Sequence, residues 1–154
     1  MIAEERTARD EQGRVGILIL GFAIIVMVLI AGTVAVTSAH LSRMRLLDVA
    51  DGAALTAANA FDESSYAAGL GSSVPLSNAT VRESAAGYVS SRPLPVGITA
   101  WRLESGTGTP DGQTAVVAMS CEATLPMIGS VLRELGVSVR IRVTSSARAD
   151  LIVP

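Results

Sequence analysis

A chain of 154 residues with a net charge of -2, its acids and arginines interspersed, lacks the basic footprint of a nucleic-acid-binding protein. Aromatic residues make up only 3%, so its core must be built from Val, Leu, Ile and Ala. Cys121 is the sole cysteine, which excludes an internal disulfide and any CxxC metal or redox site; a bond between two chains stays open beside the plainer reading of a buried thiol.

Residues 1–14, MIAEERTARDEQGR, carry four acids against three arginines. From Val15 to Ala39 the chain then runs 25 residues without a charge, closed by Arg14 on one side and by His40, Arg43 and Arg45 on the other. As a helix at about 1.5 Å per residue this stretch is about 37 Å long, enough for a hydrocarbon core of about 30 Å. A helix apolar all round is a membrane span in a chain too small to hide it. The reading is a transmembrane helix, and three fates are open to it. A cleaved signal peptide has an apolar region of about 7–15 residues, shorter than this one, although Thr37 and Ala39 stand at -3 and -1 before His40. The others are an uncleaved anchor and pilin-like processing near Gly13. Arg6, Arg9 and Arg14 outnumber Arg43 and Arg45, which predicts a cytoplasmic N-terminus. The expected organisation is a cytoplasmic tail (1–14), a span (15–39), an extracytoplasmic continuation of the helix (40–62) and a small α+β extracytoplasmic domain (63–154).

In residues 40–62, Leu47, Ala50, Ala54, Ala57 and Phe61 recur at helical spacing, with Leu46, Val49, Ala53 and Ala60 beside them. Arg45, Asp48, Gly52, Asn59 and Asp62 mark the opposite stripe. One helix is expected from about Arg14 to about Phe61, its alanine-rich upper half packing on its own domain or on neighbouring copies. Residues 62–76 read as loop from their Gly, Ser and Pro. A short helix is predicted over 78–90, with Thr80 and Glu83 at capping-box spacing, and Arg92-Pro93-Leu94-Pro95 ends it. Residues 97–104 read as a strand whose buried face the alternation leaves undecided. Pro110-Asp111-Gly112 signals a turn, and the apolar run 114–125 reads as a central strand, forming a hairpin with the first. Pro126 starts a short helix ended by Gly136. From Val137 the alternation of Val139, Ile141 and Val143 with Ser138, Arg140, Arg142 and Thr144 predicts a last strand with one wet face, carrying on through Ala147 and Ala149. The fold class is α+β, a long N-terminal helix packed on a small antiparallel sheet.

No catalytic set emerges. His40, the only histidine, sits at the membrane boundary, and no HExxH, GxSxG or P-loop is present. Asp48 and Asp51 read as a solvated stripe, with Arg45 spaced to pair with Asp48. Gly106, Gly108 and Gly112 belong to a turn and precede no helix. The expectation is a non-enzymatic chain with no cofactor and no metal site.

Asp10-Glu11-Gln12-Gly13-Arg14 before the span, and Arg45-Leu46-Leu47-Asp48-Val49-Ala50-Asp51-Gly52-Ala53-Ala54-Leu55-Thr56-Ala57-Ala58 after it, resemble the N-terminal region of TadE/TadG-like proteins of Flp/Tad (type IVb) pilus assembly. The family pattern is a Gly before the span and an "ADAAALAAA"-like run after it. Here Gly52 replaces one Ala. The resemblance covers about residues 10 to 60 and implies a pilin-like layout. It further implies a structural role in pilus assembly or secretion, with membrane lipid, other Tad machinery and copies of the chain itself as partners. Pilins cut by prepilin peptidase usually carry a Glu five residues after the cleaved Gly. Counted from Gly13 that position is Leu18, and from Gly16 it is Gly21. The span holds no acid to pair with a neighbour's N-terminus, which favours an uncleaved, TadG-like mode. The alternative is a membrane-tethered or secreted extracytoplasmic binding module with no filament role.

Overall fold

The computed structural model, which describes residues 2–67, 76–126, 129–134 and 138–148, begins with one long helix, α1 (Ile2–Ala67). It is followed by α2 (Asn78–Ser90), β1 (Ile98–Leu103), β2 (Thr114–Ala123), α3 (Gly129–Glu134) and β3 (Val139–Arg148). The chain is α+β as expected. α1 exceeds its predicted bounds at both ends. Residues 2–13 hold no proline and are rich in Glu, Arg, Ala and Gln, which favour helix on their own. At the other end Asp62-Glu63-Ser64-Ser65-Tyr66-Ala67 lies in the helix instead of the predicted loop. Most of that loop, 68–75, lies outside the described residues, as do Val137 and Ala149 of the predicted last strand.

The three strands form one antiparallel sheet in the order β1-β2-β3. In β2, Ala115, Val117, Met119 and Cys121 point to the covered face and are buried. They pair across with Ala147, Ser145, Val143 and Ile141 of β3. The same alternation sends Arg140, Arg142 and Thr144 to the outer, exposed face, as their charges require. β1 could not be phased from its sequence because it is irregular. Its register slips between Ile98 and Ala100, so Ile98 opposite Ala123 and Trp101 opposite Cys121 share the covered face although they are three apart. The hairpin loop also folds back on β2. Gly108 exchanges backbone bonds of 2.9 and 2.8 Å with Val116, and the buried Thr107 hydroxyl donates to the Ala118 carbonyl and accepts from its N–H, both at 3.1 Å.

At the tip of that hairpin Asp111 closes the predicted turn. Its carboxylate accepts from the Gln113 and Thr114 backbone N–H groups at 2.9 and 2.6 Å and from the Thr114 hydroxyl at 2.7 Å, while Gly112 takes a φ of 71°. The Thr114 hydroxyl bond, then the two backbone bonds, lower its pKa from 3.8 to about 2. A carboxylate with a depressed folded pKa stabilises fully above its unfolded value and loses that contribution as pH falls through its folded one. The wild-type melting temperature should therefore drop between pH 4 and pH 2 by more than that of Asp111→Ala. Parallel melting curves for the two proteins over that range would show that the turn carries no linkage.

α2 is capped by Ser77, not by the Thr80/Glu83 capping box that the spacing suggests: the Ser77 hydroxyl accepts from Thr80 N at 3.1 Å, which makes Thr80 the third residue of the helix. Of the third helix predicted from Pro126, α3 is described from Gly129, whose N–H donates to Leu125 O at 2.9 Å; residues 127 and 128 lie outside the described residues.

The core lies where α1 meets β2, β3 and α2. It comprises Leu46, Ala50, Ala53, Ala54, Ala85, Val89, Ile98, Val117, Met119, Cys121 and Val143, and a second cluster continues it upward through Ala57, Ala58, Leu76, Val81 and Ala115. Gly52, placed on the outer stripe by the helical pattern, belongs to this packing. A Cβ there would stand 2.2 Å from the Tyr88 hydroxyl oxygen. An alanine here would require this tyrosine to shift, and its hydroxyl accepts from the Arg92 guanidinium at 2.9 Å while its ring centroid lies 4.8 Å from it. Gly52→Leu should cost about 1–3 kcal/mol by overpacking. The loss should shrink in a Tyr88→Ala background, and equal losses in both backgrounds, read from thermal melts, would place the clash elsewhere.

Candidate functional site

α1 offers two surfaces in succession. From Val15 to Ile30 its large side chains, Ile17, Leu18, Phe22, Met27 and Leu29 among them, are exposed. Among the described residues this is one helix long and apolar enough to cross a membrane. Its polar groups are satisfied within the helix, since Thr33 Oγ1 donates to Leu29 O and Thr37 Oγ1 to Thr33 O, each at 2.9 Å. The lack of any acid at Leu18 leaves that surface wholly apolar. Gly13, the candidate processing point, lies inside α1.

The second surface begins before the apolar run ends. Ala35 is only 8% exposed, the half-buried Ser38 reaches Thr124 O at 3.5 Å, and Ser42, buried, reaches Gly97 O at 3.5 Å. The domain therefore overlaps the last turn of the 15–39 segment. The 20 residues from Val15 to Val34 still measure about 30 Å, the thickness of a hydrocarbon core. Gly97 makes this approach feasible: its φ is 87°, and a Cβ there would meet Ser42 Oγ at 3.2 Å. Arg45 does not pair with Asp48. Its guanidinium donates to the Val96 carbonyl and so ties the helix to the turn before β1.

Further up, Ala50, Ala54 and Ala57 of the predicted packing face are fully buried. Leu47 is not: it is 37% exposed, and Leu46 is fully buried in its stead. The reason is that α1 is covered from two sides, by the sheet and by α2. The centre of the covered arc moves from the predicted line towards Leu46, Ala50, Ala53 and Ala57. The side chain of Phe61, the last member of that face, lies outside the described ones.

The remaining polar groups assemble no reactive centre among the described residues. Among the described residues no three His, Cys, Asp or Glu gather as metal ligands, and His40 stands exposed on α1. On the outer face of the sheet Glu122 lies 3.9 Å from Arg102 and 4.0 Å from Arg140, both exposed contacts of little energetic weight. Beside them Glu104 accepts from the Ser120 hydroxyl at 2.5 Å, and this bond, with help from Arg142, Arg102 and Arg140, holds its carboxyl below the usual range. A shallow cleft of about 370 Å³ is lined by Asn78, Arg82, Thr107 and Thr109. Its cation is spent on structure, for Arg82 donates to Thr107 O at 2.9 Å and Ser105 O at 3.1 Å. Cys121 is buried beneath α1, and burial pushes its thiol pKa up, away from reactivity.

Residues 13–60 match the family model described as putative Flp pilus-assembly TadE/G-like. The match supports the TadE/TadG-like resemblance on the stretch that carries it. It covers the apolar surface and nearly all of the domain-packing surface of α1, and stops before α2 and the sheet. It connects the chain with Flp pilus assembly. No curated protein and no solved structure matches the chain.

Proposed function

We propose that this chain is a single-pass, membrane-anchored, pilin-like structural component of Flp/Tad pilus assembly or secretion, and not an enzyme. The observation that carries this reading is the coincidence of the matched stretch, 13–60, with a helix that is exposed and apolar below and packed along one side on a small sheet and α2 above. In this reading residues 1–14 are a cytoplasmic tail, 15–39 the span, 40–62 its extracytoplasmic continuation and 63–154 the extracytoplasmic domain. The partners are membrane lipid, other Tad proteins and other copies of the chain. With Leu18 in place of an acid, the chain keeps its N-terminal tail and anchors in the membrane without prepilin-peptidase cleavage at Gly13. The same missing acid favours one rival, a tethered extracytoplasmic binding module that never meets a pilus.

The deciding experiment is a pull-down of the tagged full chain from detergent extract of its own cells, read by mass spectrometry. Recovery of Tad secretion-machinery proteins is expected, and their absence from repeated captures would leave the tethered module. Topology follows from the arginine bias: alkaline phosphatase fused after Pro154 should be active in a bacterial host. Activity only from a cytoplasmic reporter at that position would reverse the orientation.

A further inference from the structure

The side of α1 that the domain leaves open stays apolar well above the membrane. The sheet and α2 cover the helix elsewhere, while Leu41 is 44% exposed, Met44 53% and Leu47 37%. With the hydrocarbon at Val15 to Val34, Met44 and Leu47 stand about 15 and 20 Å beyond its edge at about 1.5 Å per residue. The headgroup layer is only about 5–7 Å thick, so lipid does not cover these two side chains. Charges border them in a definite order. At about 100° per residue the open face reads Arg43, Leu47, Met44, Asp48 from one side to the other, in steps of about 40°, 60° and 40°. All four residues are exposed. Arg43 and Asp48 lie about 140° apart around the axis, so they cannot meet within one chain. Among the described residues neither has an ion-pair partner.

We propose that this face pairs with the same face of a second copy of the chain: two α1 helices run side by side and parallel, Met44 and Leu47 pack across the seam, and Arg43 of each copy meets Asp48 of the other. The proposal rests on the single-span reading above and gives the contact between copies a place. Two chains with the same span in one membrane run parallel. In a parallel helix pair the seam is lined by apolar residues three apart. The residue just before the first of them then reaches, on the other helix, the residue just after the second, five positions on. Met44 and Leu47 are such a pair, and Arg43 and Asp48 are its flanks, opposite in charge. A two-fold pair makes that ion pair twice. A second copy is the occupant because one chain already carries both halves of the match. The centre line also bounds the contact. Asp51 stands a turn above, where two facing carboxylates repel, and His40 a turn below, at the end of the uncharged run. Leu46, Ala50 and Ala53 hold the sheet and α2 on the far side of each helix, so the pair leaves its two domains facing outwards.

The test uses the full chain in membranes of a bacterial host, with one cysteine added at a time through Met44→Cys, Leu47→Cys, Thr56→Cys or Ser146→Cys. Cys121 is buried, so the wild-type chain is the blank. Mild oxidation should join the Met44→Cys and Leu47→Cys chains into a species of twice the chain mass. It should leave the blank, position 56 on the back of the helix and position 146 on the outer face of the sheet monomeric. Adding Asp48→Arg should remove the Met44→Cys product by setting like charges against each other, and adding Arg43→Asp as well should restore it. Restoration excludes misfolding as the cause of the loss. Equal products at all four positions would mean random collision and overturn the pair. A Met44→Cys product that survives Asp48→Arg, or a loss that the charge exchange does not reverse, would overturn it as well. So would a product of any other mass, which places a different protein on this face. Carbonate extraction keeps the two readings apart: a chain released from the membrane would overturn the span itself, and a retained chain with no product at 44 and 47 would overturn the pair alone.

Discussion

Ala54→Arg should abolish the folded domain, while Asn59→Arg should leave it almost untouched. Ala54 is fully buried in the cluster that α1 shares with Val117, Met119 and Val143, and no space stands beside it for a longer side chain. Overpacking alone costs about 1–3 kcal/mol, and burying an unpaired guanidinium adds several more. A domain of this size has only about 5 kcal/mol to lose. Asn59 is exposed on the same helix, so the same charge there stays in water. Ala54→Leu separates the two costs, since it adds bulk without charge and should lower stability without unfolding the domain. All three can be compared in detergent-solubilised full chain by thermal melts that follow the near-ultraviolet signal of Trp101, the only tryptophan. Equal melting temperatures for the Ala54→Arg and Asn59→Arg proteins would mean that this face does not hold the sheet, and the alanine stripe would then be free for contacts with other subunits.

What the sequence makes legible follows from how few interactions decide each feature. The apolar run of 25 residues depends on composition alone, as does the apolar stretch 114–125 that marks the central strand, while the strand at 139–148 shows a period of two that survives because it has one wet and one covered face. β1 could not be phased because a slip in register between Ile98 and Ala100 breaks that period, and a slip is a property of the pairing, not of the strand. The end of α1 was misplaced because no proline or glycine marks residues 62–67, while the sequence cue came from the Gly- and Ser-rich stretch beyond them. Gly52 was misplaced for a different reason: its neighbour is Tyr88, 36 positions away, and no local pattern announces a close approach between two helices. The likeness of residues 10–60 to one family was readable because it is carried by a contiguous run. In the sequence the 92–96 turn shows only as a helix breaker, because its position beside Ser42 and Arg45 exists only in the fold.

Leu46→Ala should cost far more than Leu47→Ala, though the two leucines are adjacent and the helical pattern alone favours Leu47. Among the described residues Leu46 is the largest fully buried side chain, in one cluster with Ala50, Val89, Ile98 and Met119. Truncating a buried leucine costs its transfer energy plus the cavity that remains, about 2–5 kcal/mol. Around Leu46 that cavity has little means of collapse. The alanines of α1 have no side-chain length to extend into it, and the strands opposite are held in register by β2 on both edges. The cost should therefore fall towards the upper end of the range, close to the whole stability of a small domain. Leu47 is 37% exposed and belongs to neither core cluster, so its truncation should move stability by no more than about 0.5 kcal/mol. Chemical denaturation of the full chain in detergent reads both. A larger loss for Leu47→Ala would rotate the covered arc back to the line Leu47, Ala50, Ala54 and Ala57. It would also require α2 to leave its side of α1, because the sheet alone can cover that line and the sheet with α2 cannot.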